Sequence, residues 1–195
     1  MTAPVLGKQI GRSLPRLEAR AKVSGCAEYT HTMRLPGMLT AKIFRSTVPH
    51  GRIKSIDVAA ARALPGVFAV YTGEDIRKVI ADPYYGPAFH DQPILALNKA
   101  HYVGEPVAAV LAVDPHVADQ AVQLIAAEYE ELPAVFDEVA AADNKVLVHE
   151  ELKPASTFAD LKHLKGRKGT NCALDFKLRR GDVDKAFASP TGSSI

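Results

Sequence analysis

Cys26 and His31 are side chains of types that could do covalent chemistry, as a nucleophile and its general base. A catalytic thiolate needs a lowered pKa and a third group that orients the base. The surrounding sequence indicates neither of these features. The pattern therefore favours a structural role for both residues.

A second group, His90, Asp91 and His101, could ligate a metal ion, because imidazole and carboxylate groups are common zinc ligands. The segment lacks the i,i+4 spacing of a helical metal site, and it has no partner cysteine. Solvated or capping roles are therefore favoured for these three residues.

Two further motifs could contact a ligand. Glycine in Gly104-Glu105-Pro106 would let the backbone approach a cofactor closely, but such turn residues more commonly mark the start of a strand. The basic run Lys162–Lys168 could bind phosphate or nucleic acid, but it lacks interleaved aromatic residues and is more typical of a solvated surface. We therefore predict no catalytic, cofactor-binding or metal-binding residue in this chain.

The composition is typical of a globular protein, with 195 residues, 47% of them hydrophobic and 24% charged. This length allows one domain, or one domain with a tail. The net charge of +2 is too small to favour nucleic acid or an anionic membrane as the main partner. There is no secretory signal pattern and no apolar run of bilayer length, so we expect a cytoplasmic protein.

The cysteines, Cys26 and Cys172, are far apart and form no C-x-x-C pair. This argues against an iron–sulfur cluster or a structural zinc ion held by this chain alone. A disulfide between them stays open as an alternative, but reduced thiols are favoured in a cytoplasmic protein.

The amino-terminal part reads as an extended arm followed by strands. Residues 1–25 carry several glycines and a proline between charges, and residues 27–34 (AEYTHTMR) are rich in strand-forming types. A turn at Leu35-Pro36-Gly37 precedes a predicted strand over residues 38–45. Residues 52–57 (RIKSID) also have a largely alternating pattern.

Asp57 stands where a helix cap belongs, before a predicted alanine-rich helix over residues 58–64. Pro65-Gly66 ends that helix. Residues 67–72 (VFAVYT) form a nearly uniform β-branched and aromatic run, which predicts a strand buried on both faces. Residues 82–92 have no periodicity and are interpreted as a loop.

A second strand–helix–strand passage follows. Residues 106–113 (PVAAVLAV) predict an apolar strand, and Asp114-Pro115 supplies an N-cap and a first-turn proline for a helix over residues 116–128. Residues 129–132 predict a returning strand. The helix places an apolar stripe toward the core, made of Val117, Ala121, Leu124 and Ile125.

These elements together predict an α+β domain. The chain changes character from Asp143 onward, with a short apolar run at residues 146–149 and a Ser/Pro/Thr/Gly-rich end over residues 189–195, which we expect to be frayed.

Several segments, taken in order, resemble the large subunit of molybdenum hydroxylases of the xanthine dehydrogenase and aldehyde oxidase type. Each is weak alone, but their order and spacing over residues 11–188 make the resemblance strong. They are residues 22–30 (KVSGCAEYT), 50–57 (HGRIKSID), 64–72 (LPGVFAVYT), 102–110 (YVGEPVAAV), 129–135 (YEELPAV) and 181–187 (GDVDKAF).

The resemblance implies an α/β-hammerhead domain over residues 20–140, preceded by an extended arm over residues 1–19. Residues 141–195 would be a linker and the truncated start of the molybdenum-binding region. In that family the residues that hold the molybdenum–pterin cofactor, and the glutamate base, come after the segment that this chain resembles.

The resemblance also implies a function: the amino-terminal structural part of an oxidoreductase acting on a small aromatic, heteroaromatic or aldehyde substrate. The cofactor would be held mainly outside this chain, which would be inactive alone. The expected partners are the remainder of the large subunit, an iron–sulfur small subunit and an FAD-binding medium subunit. The alternative is a stand-alone, non-catalytic binding or scaffold module derived from that family.

Overall fold

A computed structural model describes residues 11–86, 91–143, 145–150, 166–175 and 180–188. The chain divides into two compact units, Met1–Met38 and Leu39–Ile195, and each is considered by itself. Among the described residues, no helix combines the length and the apolar character needed to cross a membrane.

The first unit contains a short helix, α1 (Ala19–Val23), and a 3₁₀ turn at Thr30–Thr32. The expectation of an extended conformation through residue 25 is therefore wrong for α1. Alanine, arginine and lysine all favour helix, and the Glu18 carboxylate lies 2.8 Å from the Lys22 ammonium one turn away. The strand-forming composition of residues 27–34 also yields a turn rather than a strand.

The second unit mixes strands and helices, as predicted. Its strands are β1 (Thr40–Arg45), β2 (Gly51–Asp57), β3 (Val67–Thr72), β4 (Tyr84–Tyr85), β5 (Gln92–Pro93), β6 (Lys99–Ala100), β7 (Pro106–Ala112) and β8 (Ala126–Glu131). Its helices are α2 (Ala59–Ala63), α3 (Gly73–Val79), α4 (Pro115–Gln123), α5 (Glu138–Ala141) and α6 (Val183–Ala188).

One antiparallel sheet has the order β1-β7-β3, with the predicted apolar strand β7 at its centre. Val107, Ala108, Val110 and Ala112 of this strand are fully buried. Fully buried alanines of α2 and α4 belong to the same core cluster, where their short side chains allow close packing against the sheet. This sheet and its helices form the main core.

The second antiparallel sheet has the order β6-β2-β8. Asp114 caps α4 as predicted, since its carboxylate accepts the Val117 N–H at 2.9 Å. The helix ends at Gln123, however, and not at residue 128. Residues from Ala126 onward pair with β2 instead, so strand pairing overrides their helix propensity. Leu124, 43% exposed, therefore falls outside the predicted core stripe.

Strand β3 is confirmed, but it is not buried on both faces. Val70 is buried, whereas Phe68 is 72% exposed at an irregularity of the β3–β7 register between Val67 and Ala69. β3 is an edge strand of its sheet, so it lacks the cover that the uniform apolar run suggested.

The segment interpreted as a loop contains a short antiparallel strand pair, β4 with β5.

Helix α3 lies before this strand pair, and its N-terminus is a capping box between Thr72 and Asp75. The Thr72 backbone N–H donates to Asp75 at 3.0 Å and lowers the pKa of that carboxyl. The N-cap of α2 is Val58, one residue after the predicted cap at Asp57, although the Asp57 carboxylate accepts the Ala59 N–H at 2.9 Å.

Candidate functional site

A polar cleft of about 310 Å³ lies beside β6 and the β4–β5 strand pair. One of its walls comes from residues 145–150, a segment named the strap from here on. The side chains that line the cleft include Tyr84, Asp91, Lys99, His101, His149 and Glu150. All six of these side chains are titratable, so the cleft is the place where we look for chemistry.

Lys99 and Glu150 form a short ion pair in the cleft. The Lys99 ammonium lies 2.7 and 2.8 Å from the two carboxylate oxygens of Glu150. The Lys99 side chain is only 8% exposed, whereas that of Glu150 is 64% exposed. Burial opposes ionisation of Glu150, but the hydrogen bond from Lys99 prevails and lowers the pKa of this carboxyl. The buried lysine depends on this carboxylate for its counter-charge.

His101 is held by Glu105, a carboxylate that is 3% exposed. The Nδ1 atom of His101 lies 3.0 Å from Glu105 Oε1, and the backbone N–H of His101 also donates to this carboxylate. Because an ionised carboxylate only accepts hydrogen bonds, the Nδ1 atom carries a proton. Glu105 therefore sets both the orientation and the tautomer of His101.

The ring of His149 stacks on that of His101, with centroids 4.3 Å apart and planes 10° from parallel. Loss of solvent around the ring lowers the pKa of His149, and the neighbouring His101 and Lys99 lower it further, against Asp91 and Glu105. His149 as a whole is exposed, and the ring face that it turns to His101 is the part that loses solvent.

Parallel imidazole rings are poorly arranged for metal binding. A metal at the usual Zn–N distance of about 2.0–2.1 Å needs both nitrogen lone pairs to converge on one point. The lone pairs of stacked rings instead lie in separate parallel planes. In the part of the chain that the structure describes, no group of three His, Cys, Asp or Glu side chains could hold a metal ion.

The structure describes two of the three residues that were considered as metal ligands. Asp91 and His101 both line the cleft, whereas His90 lies outside the described residues.

The motif Gly104-Glu105-Pro106 does mark a strand start, because Gly104 has a φ of +95° and β7 begins at Pro106. What the sequence missed is the buried carboxylate of Glu105 and its bond to His101.

Cys26 and His31 have separate partners in the first unit. Cys26 is an exposed free thiol whose Sγ atom lies 3.7 Å from the Ser24 carbonyl oxygen. The His31 ring stacks on Tyr29, with centroids 5.8 Å apart. Among the contacts of residues 11–38, none joins the thiol to the imidazole.

The basic run is only partly described, since residues 162–165 lie outside the described ranges. Within its last three residues, Arg167 donates to the Sγ atom of Cys172 at 2.7 Å and lies 3.6 Å from Asp175. Cys172, like Cys26, is a free thiol.

The sequence analysis missed Lys99, His149 and Glu150. Lys99 and Glu150 are 51 positions apart, so no local spacing indicates that they pair. The available signal was Glu105, because a carboxylate four residues after His101 can reach its ring.

His50, the first residue of the motif at residues 50–57, has a structural role. It is 3% exposed, and its Nδ1 atom lies 2.7 Å from the Pro133 carbonyl oxygen. A carbonyl can only accept, so Nδ1 donates. This bond joins the residue before β2 to the segment after β8.

The comparisons with known proteins agree with this fold. The profile of a family described as "Aldehyde oxidase and xanthine dehydrogenase, a/b hammerhead domain" matches residues 24–133, more than half of the chain. The chain belongs to this family. The predicted family and the predicted α/β-hammerhead class are therefore confirmed.

Family members similar to this chain include subunits of molybdenum enzymes. The chain is 37% identical over 188 residues to the 6-hydroxypseudooxynicotine dehydrogenase complex subunit gamma of Paenarthrobacter nicotinovorans, covering 92% of this chain and 22% of the relative. It is 32% identical over 179 residues to the nicotinate dehydrogenase large molybdopterin subunit of Eubacterium barkeri, covering 91% of this chain and 37% of the relative.

Among solved structures, quinoline 2-oxidoreductase from Pseudomonas putida 86 matches with a TM-score of 0.62 and 39% identity, covering 71% of this chain and 18% of that chain. The chain thus spans between about a fifth and somewhat over a third of the length of these relatives. It is part of a family of molybdenum oxidoreductases.

Proposed function

We propose that this chain supplies the amino-terminal structural part of a molybdenum-dependent oxidoreductase large subunit. Its substrate would be a small aromatic, heteroaromatic or aldehyde compound. The observation that carries this proposal is the family match together with identity of 32% and 37% to two dehydrogenase subunits across more than nine-tenths of this chain.

The donor set of the cleft does not fit a molybdenum–pterin cofactor that carries a phosphate. The ammonium of Lys99, which an anion would need, is already bonded to both oxygens of Glu150. Asp91 in the cleft and Glu105, which is bonded to His101 beside it, add further negative charge. We therefore assign no reaction step to these residues, and we propose that the cofactor is held mainly outside this chain and that the chain alone is inactive.

The proposed partners are the remainder of the large subunit, an iron–sulfur subunit and an FAD-binding subunit. The cytoplasmic location and the domain boundaries 1–19, 20–140 and 141–195 stay predictions of the sequence. A chain of this kind would pack against the rest of the large subunit and help to position it.

Affinity capture of the chain from its native host tests the proposal. We expect co-purification of molybdenum, iron, acid-labile sulfide and flavin, detected by metal analysis and by visible absorption. Recovery of the chain without any of these groups would contradict the proposal and favour the stand-alone binding module. Stoichiometric molybdenum–pterin on the isolated polypeptide would contradict the placement of the cofactor outside this chain.

A further inference from the structure

The strap is attached to its own unit at three points. Glu150 pairs with Lys99, and His149 stacks on His101. The third point is Asn171, whose side-chain oxygen accepts the Val148 N–H at 2.9 Å and whose side-chain nitrogen donates to the Val146 carbonyl oxygen at 2.9 Å. Two of these attachments, the ion pair and the ring stack, involve titratable groups, so their strength depends on protonation state, whereas the amide bonds of Asn171 do not titrate.

Among the described residues, the charged groups around His149 lie on the strap and on the segments that pack against it. They belong to His101, Lys99, Asp91, Glu105 and, on the strap itself, Glu150; Tyr84 also lines the cleft. Two of the carboxylates are already engaged, because Glu105 is bonded to His101 and Glu150 to Lys99. Asp91 is therefore the carboxylate left to offset a new positive charge on the strap.

A proton on each ring of the stack would place two positive charges 4.3 Å apart, next to the buried ammonium of Lys99. Like charges at this separation repel, and the partly buried setting screens them less than water does. We propose that the strap is a pH-sensitive clasp, closed on the cleft while His149 is neutral and released when His149 takes up a proton beside His101 and Lys99.

The sign of the pH dependence follows from linkage. The pKa of His149 is lowered in the closed state, so the open state binds the proton more readily. Closure is therefore fully favourable above the ordinary histidine pKa of about 6.5, and it weakens as the pH falls from there toward the lowered value. The linkage of one proton limits the change in the opening equilibrium to about tenfold per pH unit.

Amide hydrogen exchange of Val148 in the 195-residue chain tests the proposal. This N–H lies next to His149 and donates to Asn171, and we expect the bond to open when the strap leaves the cleft. Between pH 7.5 and 5.5, after correction for intrinsic exchange, we expect Val148 protection to fall by up to about tenfold per pH unit below pH 6.5. The amide of Val70, in the core, is expected to keep its protection.

The matched variants are His149→Gln and His116→Gln. The first removes the titrating ring, so Val148 protection should become independent of pH over this range. The second changes an exposed histidine on α4 and should keep the wild-type pH dependence. Flat protection in the wild type, or an unchanged pH dependence in His149→Gln, would overturn the proposal.

His149→Gln also loses ring stacking, so its strap could open at every pH. In that event the titration of His149 in the wild-type chain, followed by NMR of its ring protons, decides the matter. A midpoint below 6.5 that coincides with the loss of Val148 protection supports the clasp. A midpoint at or above 6.5 refutes it.

Discussion

Removal of the Glu150 carboxylate should destabilise the chain more than removal of its partner, Lys99. Lys99 is 8% exposed and Glu150 is 64% exposed, so Glu150→Ala leaves a buried ammonium without its counter-charge. Lys99→Met, by contrast, leaves a carboxylate that water can solvate, and it fills the same space with an apolar side chain. This difference in burial predicts that Glu150→Ala lowers the free energy of unfolding more than Lys99→Met does.

The magnitude lies between two limits. Breaking a fully buried pair by removing one partner costs about 3–5 kcal/mol, whereas an exposed pair contributes about 0–1 kcal/mol. Because solvent screens the exposed Glu150, we expect Glu150→Ala to lower the free energy of unfolding by about 1.5–2.5 kcal/mol. We expect Lys99→Met to change it by less than about 1 kcal/mol.

Urea denaturation at pH 7.5 measures both effects, with Glu128→Ala as the control for loss of an exposed strand glutamate. In the double variant, Lys99→Met should recover most of the loss caused by Glu150→Ala, because no buried charge then remains. The reasoning is refuted if Glu150→Ala matches Glu128→Ala, or if Lys99→Met costs as much as Glu150→Ala.

Three further substitutions test the packing and the caps, each by urea denaturation. Asn171→Ala removes a side chain with three backbone partners and should cost about 2 kcal/mol; a cost below about 0.5 kcal/mol would show that water replaces it. Gly73→Ala places a methyl group against the Ala96 carbonyl oxygen and should cost about 1–3 kcal/mol, whereas an unchanged midpoint would contradict this close approach. Asp114→Ala removes the α4 cap and should cost about 1 kcal/mol, while Asp114→Asn, which keeps an acceptor, should retain most of the stability; equal losses would argue against capping.

The parts of the fold that could be predicted are those with short-range signals. Asp114-Pro115 identifies the start of α4 because a side-chain acceptor and a missing N–H suit the first turn. The apolar run of β7 identifies a central strand, since only burial accounts for so many small apolar residues together. Both depend on neighbours within a few positions.

The parts that could not be predicted depend on distant partners. Residues from Ala126 onward suit a helix locally, and pairing with β2 makes them a strand instead. Phe68 is apolar, yet its place on an edge strand leaves it exposed. Hydrophobicity reports a preference for burial, but the topology of the sheet decides which faces are covered.

The sequence by itself determined the family, the α+β class and the order of the two strand–helix–strand passages. These follow from local propensity and from motifs that can be recognised in order along the sequence. Only the tertiary structure decided that Lys99, His101, His149 and Glu150 share one cleft, with Glu105 bonded to His101 beside it. Ion pairs and ring stacks act over a few ångströms, so chain folding alone brings a lysine within 2.7 Å of a carboxylate 51 positions away.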